Sequence, residues 1–471
     1  MVLSEFEALW DAAAGSADAT AMAALKSLVE NGSDRELNNL NPIAFAAAKG
    51  LKEDTVIDAL LHASNVGLFD LCWNMVCRAC GGVLETGSAL KALDRTQYFC
   101  SFCVVDCEPT LDELVEVAFT VNPRIRRIAA HNPNELPLAE YVSQIFWGSG
   151  VDTPENVIEL IEQVTLDAIE LEPGERAAMS LSLPRGNVMV FDPVSHSTRF
   201  LEVEGEETHE RRNISVIFKE PHTHAGKTTL QPGPVRIALE NKSQRRALPG
   251  LWVWNEALSS IFERKRPFLT ATRVLSNQTF RALYRTGTLT KDQRFKITNL
   301  TILFTDLRGS TALYDRIGDL AAFDLVRDHL GALLETIAGE GGAVVKTIGD
   351  AVMATFATPD RAMRAALRMR DAMRKLNEAS GSEDLALNVG LHEGPCLAVM
   401  LDERQDYFGQ TVNVASRVQG LADPSAILAT ERLVKNANVA RVLAEAGVKV
   451  TPREASVLRG VSQAVSIYAI S

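Results

Sequence analysis

Three groups of residues in the last third of this 471-residue chain have the types and spacing of a site for metal and phosphate. Asp306 closes the alternating, β-branched run Leu300-Thr301-Ile302-Leu303-Phe304-Thr305, and the chain then passes through Leu307-Arg308-Gly309-Ser310-Thr311. A carboxylate at a strand end can hold a hard divalent cation. The N–H groups of a glycine-containing turn that opens a helix can cradle phosphates beside it. Further on, two β-type runs meet at Gly349-Asp350, which reads as a tight hairpin presenting a second carboxylate to the same metal pair. Lys346 lies just before that turn. The third group is Asp406, in a loop, followed by Asn413 and Arg417 on a helix. Those two stand four residues apart and share one face, which suits a ribose and a phosphate.

A fourth group lies far upstream. Cys77-Arg78-Ala79-Cys80 and Cys100-Ser101-Phe102-Cys103 are C-x2-C pairs separated by 19 residues. Each pair can offer two thiolates to one ion from a tight turn, and together they complete a tetrahedron, the pattern of a zinc ribbon. With no open ligand position the ion would be structural. In a reducing compartment this spacing favours a metal over disulfides, which leaves Cys72 and Cys107 as the better candidates for buried free thiols.

The elements that must carry these residues can be read from periodicity. Residues 1–70 are helical. Apolar residues recur at helical spacing over Ala21–Val29 and Pro42–Ala48, and a Gly50 turn leads into a helix carrying Val56, Leu60 and Leu61. The helix, glycine turn and helix resemble a helix-turn-helix or winged-helix unit, although packed helices joined by a glycine turn are common in any fold. The ribbon would occupy residues 71–110. Over 111–248 short alternating runs bounded by Pro and Gly, such as Met179–Leu183, Asn187–Phe191, Asn213–Phe218 and Gly233–Asn241, predict a small antiparallel β-sandwich. Its Pro221-His222-Thr223-His224 loop could sense pH or bind metal, but paired histidines on a polar loop are usually only solvated. Residues 249–294 read as a connector. Its Arg264-Lys265-Arg266 run is flanked by Glu263 and Pro267 and reads as a solvated helix end rather than a membrane-surface anchor.

Composition narrows the class. Apolar content of 46% and charged content of 23% are those of a water-soluble globular protein, and the length calls for several domains. A formal net charge of −12 disfavours nonspecific attraction to nucleic acid or to an anionic membrane. No apolar stretch is long enough to span a bilayer, and the N-terminus lacks the pattern of a secretory signal, so a cytoplasmic protein without membrane contact is expected.

Taken together, the F-x-D, K-x-x-G-D and D-x6-N-x3-R elements resemble the catalytic domain of class III nucleotidyl cyclases, from about Leu300 to the C-terminus. The resemblance implies a multidomain α+β protein whose residues 295–471 form a ferredoxin-like cyclase domain, acting as a head-to-tail homodimer with sites at the interface. Asp306, Asp350 and the Leu307 carbonyl would bind two Mg²⁺ or Mn²⁺. The 307–311 turn and Arg459 would meet the triphosphate, and Asn413 and Arg417 of the partner would act on ribose and phosphoryl oxygens. Lys346 can only donate and ionised Asp406 can only accept, which complements the amino donor and ring-nitrogen acceptor of adenine and mismatches guanine. ATP is therefore the expected substrate and cyclic AMP the expected product. The N-terminal part resembles an uncharacterised region that precedes such domains in bacterial proteins, and regulation by an unknown ligand or partner is its expected role. Three other readings carry their own signatures. A guanylate cyclase would reverse the polarity at 346 and 406. A silent nucleotide-binding regulator would lack a metal carboxylate or Arg417, and a DNA-binding factor would present a basic face.

Overall fold

The computed structural model describes residues 3–219, 226–284, 289–380, 385–401, 403–423, 426–455, 457–461 and 464–471. The histidine loop 221–224 lies outside the described residues. The chain forms two compact units, one of Met1–Pro109 with Glu113–Leu269 and one of Thr110–Asp112 with Thr270–Ser471.

The first unit opens with four helices, Leu3–Ala14, Ala19–Asn31, Pro42–Lys49 and Glu53–Asn65. Local chemistry sets the boundaries of the third. The Asn41 side chain accepts the Ile43 and Ala44 N–H groups at 3.0 and 3.2 Å, Pro42 occupies the first turn, and Gly50 ends the helix in the left-handed region at φ 65°. An antiparallel sheet follows, in the order Val83–Gly87, Phe69–Val76, Val115–Val121. The strands Tyr98–Cys100 and Val105–Cys107 pair as a short hairpin around the second cysteine pair.

Two features of the β-rich stretch differ from expectation. Among the described residues no strand lies between Val121 and Thr165, and helical turns at Leu138–Tyr141, Val142–Phe146 and Val157–Val164 take its place. In the last of these Val157, Ile161 and Val164 are the buried residues, a helical and not an alternating period. The sandwich itself is mixed rather than antiparallel. Arg212–Phe218 runs parallel to Gly233–Asn241, and Gly226–Leu230 runs parallel to Ser197–Val203. The four strands from Ser197 to Asn241 alternate between the two sheets, so every second strand returns beside its predecessor in the same direction. Val188, Val190, Leu201, Phe218, Ile237 and Leu251 fill the space between the sheets.

The second unit is built on one mixed sheet. Its order is Ala343–Ile348, Ala351–Phe356, Phe295–Leu307, Leu387–Leu401, Ile427–Thr430, Ile467–Ile470, Val450–Pro452, with Arg404–Phe408 paired to one end of Leu387–Leu401. Helices Asp319–Gly339, Pro359–Ser380 and Ala437–Glu445 contribute Leu333, Ile337, Met363, Met369 and Val439 to a core with Leu303, Phe356 and Leu391 of the sheet. Helix Gln410–Gly420 forms a second, smaller core through Val414 and Val418 with Leu428, Leu458 and Ile467. The segment Thr110–Asp112 is stitched into this unit. The Leu111 N–H donates to the Lys296 carbonyl at 3.0 Å, and the Asp112 carboxylate accepts the Thr298 and Asn299 N–H groups, each at 2.9 Å.

Candidate functional site

Asp306 stands near the C-terminal end of the long strand Phe295–Leu307, opposite Asn388 of the neighbouring strand. Gly309, at φ 74°, turns the chain into helix Ser310–Ile317 directly after it. That leaves the first N–H groups of a helix beside the carboxylate, as the strand, turn and helix pattern predicts. Asp350 sits in the hairpin between Ala343–Ile348 and Ala351–Phe356, where Gly349 takes φ 65°, a conformation that costs glycine little.

The two carboxylates sense each other. Burial first, and then the charge of Asp350, push the Asp306 pKa above the usual aspartate value, while a hydrogen bond from the Gln419 side chain works the other way. Asp350 Oδ2 is buried with no hydrogen-bond partner. A buried carboxylate oxygen left without a donor costs free energy unless something else binds it, and a divalent cation shared with the neighbouring Asp306 is a group that would satisfy it. The donor set thus fits Mg²⁺ or Mn²⁺. Behind the hairpin, buried His329 lies 3.0 Å through Nδ1 from Met373 Sδ. Burial holds its pKa below the usual histidine value, and its contact with Asp350 opposes that shift.

Lys346 and Asp406 meet directly, with Nζ to Oδ2 at 2.6 Å. The lysine is 43% exposed and the aspartate 12%, so the pair faces outward from a partly dry base. The other oxygen, Asp406 Oδ1, accepts the Tyr407 N–H at 2.8 Å, which fixes the carboxylate plane. The two residues are 60 positions apart in the sequence.

Asn413 and Arg417 lie on helix Gln410–Gly420, one turn apart, the asparagine exposed and the arginine half-buried. Two glycines on the sheet let this helix approach. A Cβ at Gly390 would come within 2.3 Å of the Gln419 main-chain nitrogen, and one at Gly394 within 2.7 Å of Thr411 Oγ1. Arg417 also lies against the turn that follows Leu458. A Cβ on Gly460 would be 3.4 Å from its Nη1, which brings the exposed Arg459 to the same neighbourhood.

Three residues that pattern reading missed belong to this region. Gln419 shares the helix of Asn413 and Arg417 and could have been flagged from it. His329 and Arg281 carry no local signal, because their partners are remote in sequence.

In the other unit, the Sγ atoms of Cys77, Cys80, Cys100 and Cys103 all lie within 4.8 Å of one another, and Cys80 to Cys100 is 3.8 Å. A tetrahedron with metal–sulfur bonds of about 2.3 Å has edges of about 3.8 Å, so this arrangement could accept one zinc ion. The Ala79 and Gly82 N–H groups point at Cys77 and Cys80 sulfur, at 3.4 and 3.3 Å. Hydrogen bonding, first with Cys100 and then with Cys103, Cys107 and Cys80, pulls the Cys77 pKa down and favours its thiolate. Cys107 is therefore a close neighbour of the cluster as well as a buried thiol. Cys72 stands apart, and burial pushes its thiol up to about 11.

Residues 293–471 match the Adenylate and Guanylate cyclase catalytic domain, and residues 3–282 match a family of unknown function, DUF5939. An adenylate cyclase of Anabaena cylindrica is 32% identical over 190 residues, which cover 36% of this chain and 36% of that protein. Retinal guanylyl cyclase 1 of Homo sapiens is 29% identical over 175 residues, 34% of this chain and 16% of that protein. The chain thus spans about a third or less of the length of these curated relatives. The solved adenylyl cyclase CyaB from P. aeruginosa is similar at 22% identity and a TM-score of 0.34, over 38% of this chain and 96% of that one.

Proposed function

Because the chain belongs to the DUF5939 family and ends in a class III nucleotidyl cyclase catalytic domain, we propose that it converts ATP to 3′,5′-cyclic AMP and pyrophosphate. The observation that carries the choice of ATP is the Lys346–Asp406 pair, a fixed donor beside a fixed acceptor. Adenine complements that pair through its amino group and ring nitrogen. Guanine would leave two partly buried polar groups facing like partners, a mismatch that costs orders of magnitude in selectivity.

Asp306 and Asp350, with the Leu307 carbonyl, would hold two Mg²⁺ or Mn²⁺ ions, which when bound make the ribose 3′-hydroxyl more acidic and neutralise the triphosphate. The N–H groups of Arg308, Gly309, Ser310 and Thr311 would bind the phosphates at the helix start. Asn413 would orient the ribose, and Arg417 would stabilise charge growing on the α-phosphoryl oxygens as pyrophosphate leaves. Arg459 would contact the terminal phosphates. In this reading each site draws Asp306 and Asp350 from one protomer and Lys346, Asp406, Asn413 and Arg417 from the other. Exposed apolar side chains around these residues, Ile348, Leu401 and Phe408, support a homodimer that covers them.

The cysteine cluster is proposed to hold a structural zinc ion within a ribbon spanning residues 71–110. The flanking helical segment 1–70, the sandwich 111–248 and the connector 249–294 would serve regulation of the domain 295–471. No described helix is long and apolar enough to cross a membrane, which is compatible with action in the cytoplasm.

The purified chain offered ATP or GTP with Mn²⁺ tests this directly, beside Asp306→Ala. Cyclic AMP from ATP alone, abolished by the substitution, is expected, along with one zinc per chain that Cys77→Ser removes. Cyclic GMP formed from GTP at a comparable rate would replace the reading with a guanylate cyclase. Nucleotide binding by the dimer without any product would favour a silent regulator.

A further inference from the structure

The Lys346–Asp406 pair joins two strands that share no ladder. Among the described residues, Ala343–Ile348 pairs only with Ala351–Phe356, and Arg404–Phe408 pairs only with Leu387–Leu401. Sheet hydrogen bonding therefore does not set the distance between the lysine and the aspartate. At the lysine the ladder is irregular as well, because the register slips between Val344 and Lys346 and leaves Val345 as an extra residue. A bulge of this kind re-aims the side chain that follows it and leaves main-chain groups without ladder partners.

A short helix, Gln278–Leu283, supplies the missing connection. It belongs to the same compact unit as both strands. Arg281 Nη2 donates to the Gln405 carbonyl at 2.9 Å and to the Val345 carbonyl at 3.4 Å, which are the main-chain groups immediately before Asp406 and Lys346. Gln278 Oε1 accepts the Val344 N–H at 2.9 Å, on the other side of the bulge. The adjoining strand residue Tyr407 is 2% exposed, and its hydroxyl accepts from Gln405 Nε2 at 3.0 Å and reaches the Leu275 carbonyl at 3.5 Å. Arg281 Nη1 is buried with no hydrogen-bond partner, so Nη2 carries the bridge.

We propose that Arg281 is a positioning residue for base selection, bridging the Val345 and Gln405 carbonyls so that Lys346 and Asp406 present their donor and acceptor at one spacing. The proposal rests on the reading of that pair as the adenine contact. The two N–H bonds of the planar guanidinium nitrogen Nη2 are held at fixed angles toward the two carbonyls, whereas a lysine ammonium rotates freely about its stem and holds them less firmly. Loosening this bridge lets the pair open or rotate. That weakens the match to adenine and relieves the mismatch to guanine, while the metal carboxylates on the central strand and hairpin turn keep their own supports.

The test uses the full chain with Arg281→Gln and Arg281→Lys, measuring kcat and KM for ATP and for GTP with Mn²⁺, together with the melting temperature. The expected result is a rise in the KM for ATP and a fall of about tenfold in the ATP-to-GTP ratio of kcat/KM for Arg281→Gln, with kcat for ATP changed less. Arg281→Lys should fall between that variant and the parent. An unchanged ratio and KM in a folded Arg281→Gln would overturn the proposal, as would equal losses with both nucleotides tracking the loss of folded protein. If Arg281→Gln does not fold, Gln278→Ala removes the neighbouring bond and strands only the part-buried Val344 N–H, a smaller loss than a buried guanidinium site. It should shift the ratio in the same direction by a smaller factor, and no shift there counts against the bridge. A parent that does not prefer ATP would instead sink the adenine reading of Lys346 and Asp406. A parent whose preference is changed by Asp406→Asn but not by Arg281→Gln would sink only the role given to Arg281.

Discussion

Carboxylates drawn partly or wholly out of water occur in both units, and their surroundings treat them in opposite ways. In the N-terminal unit Glu116 accepts the Ser149 and Gly150 N–H groups and the Asn74 amide. Asp192 likewise accepts the Val194, Ser195 and Leu248 N–H groups and the Ser195 hydroxyl. Burial pushes both pKa values up and these donors oppose the shift, so each carboxylate serves as a knot tying remote loops together. In the catalytic unit Asp350 keeps a buried oxygen with no donor, and burial and Asp350 together lift the Asp306 pKa. Carboxylates whose hydrogen bonds are filled from within the fold hold it together, and those left wanting await a ligand.

Three measurements can break or sharpen that contrast. The largest effect is expected for Asp350→Asn, which should lower cyclic nucleotide formation by about 10³-fold while leaving the metal-free protein as stable as the parent or slightly more so. Thermal unfolding should also show that Mn²⁺ raises the melting temperature of the parent and not of the variant. A variant that stays active, or one that unfolds readily without metal, would put Asp350 in the same class as Asp192.

Asp192→Ala should act on stability alone. It strands several buried donors at once, so the urea midpoint should drop by the equivalent of about 3 kcal/mol, with the activity per folded molecule unchanged. If the loss is below about 1 kcal/mol, the filled-carboxylate account of the N-terminal unit is wrong.

The smallest effect concerns His392, half-buried in the catalytic sheet, whose Nδ1 lies 2.9 Å from Thr430 Oγ1. Burial, helped by the charge of Arg432, lowers its pKa to about 4. The unfolded chain binds a proton near pH 6.5 that the folded one refuses. Its contribution is therefore whole above that pH and is lost as pH falls toward about 4, by up to about 3 kcal/mol before solvent relaxation reduces it. Urea unfolding between pH 7.5 and 4.5 should show a shallower acid loss in His392→Gln than in the parent. Parallel profiles would remove His392 from the account.

Much of the candidate site was legible because its signals are short-range. The apolar and β-branched run Leu300–Thr305 reads as a strand and is buried on both faces, Gly349-Asp350 closes a hairpin within a few residues, and the i, i+4 spacing of Asn413 and Arg417 survives in any helix. The two C-x2-C pairs likewise state their chemistry in a few letters. The sandwich was harder, because alternation reveals a strand without its neighbours. The crossing of the chain between sheets, and with it the parallel pairing, follows from which strands meet.

What the sequence by itself determined is therefore the inventory: two carboxylates at turns, a lysine and an aspartate of opposite polarity, an amide and a guanidinium on one helical face, and four convergent thiols. Only the tertiary structure decided which of these groups are satisfied and which are held together. Asp350 has an unfilled oxygen because the packing around the hairpin offers it no donor, and Lys346 reaches Asp406 while a helix distant in sequence grips the carbonyls beside both. The physical reason is that hydrogen-bond satisfaction and burial are sums over neighbours from the whole unit, whereas periodicity and turn chemistry are fixed by residues within a few positions of each other.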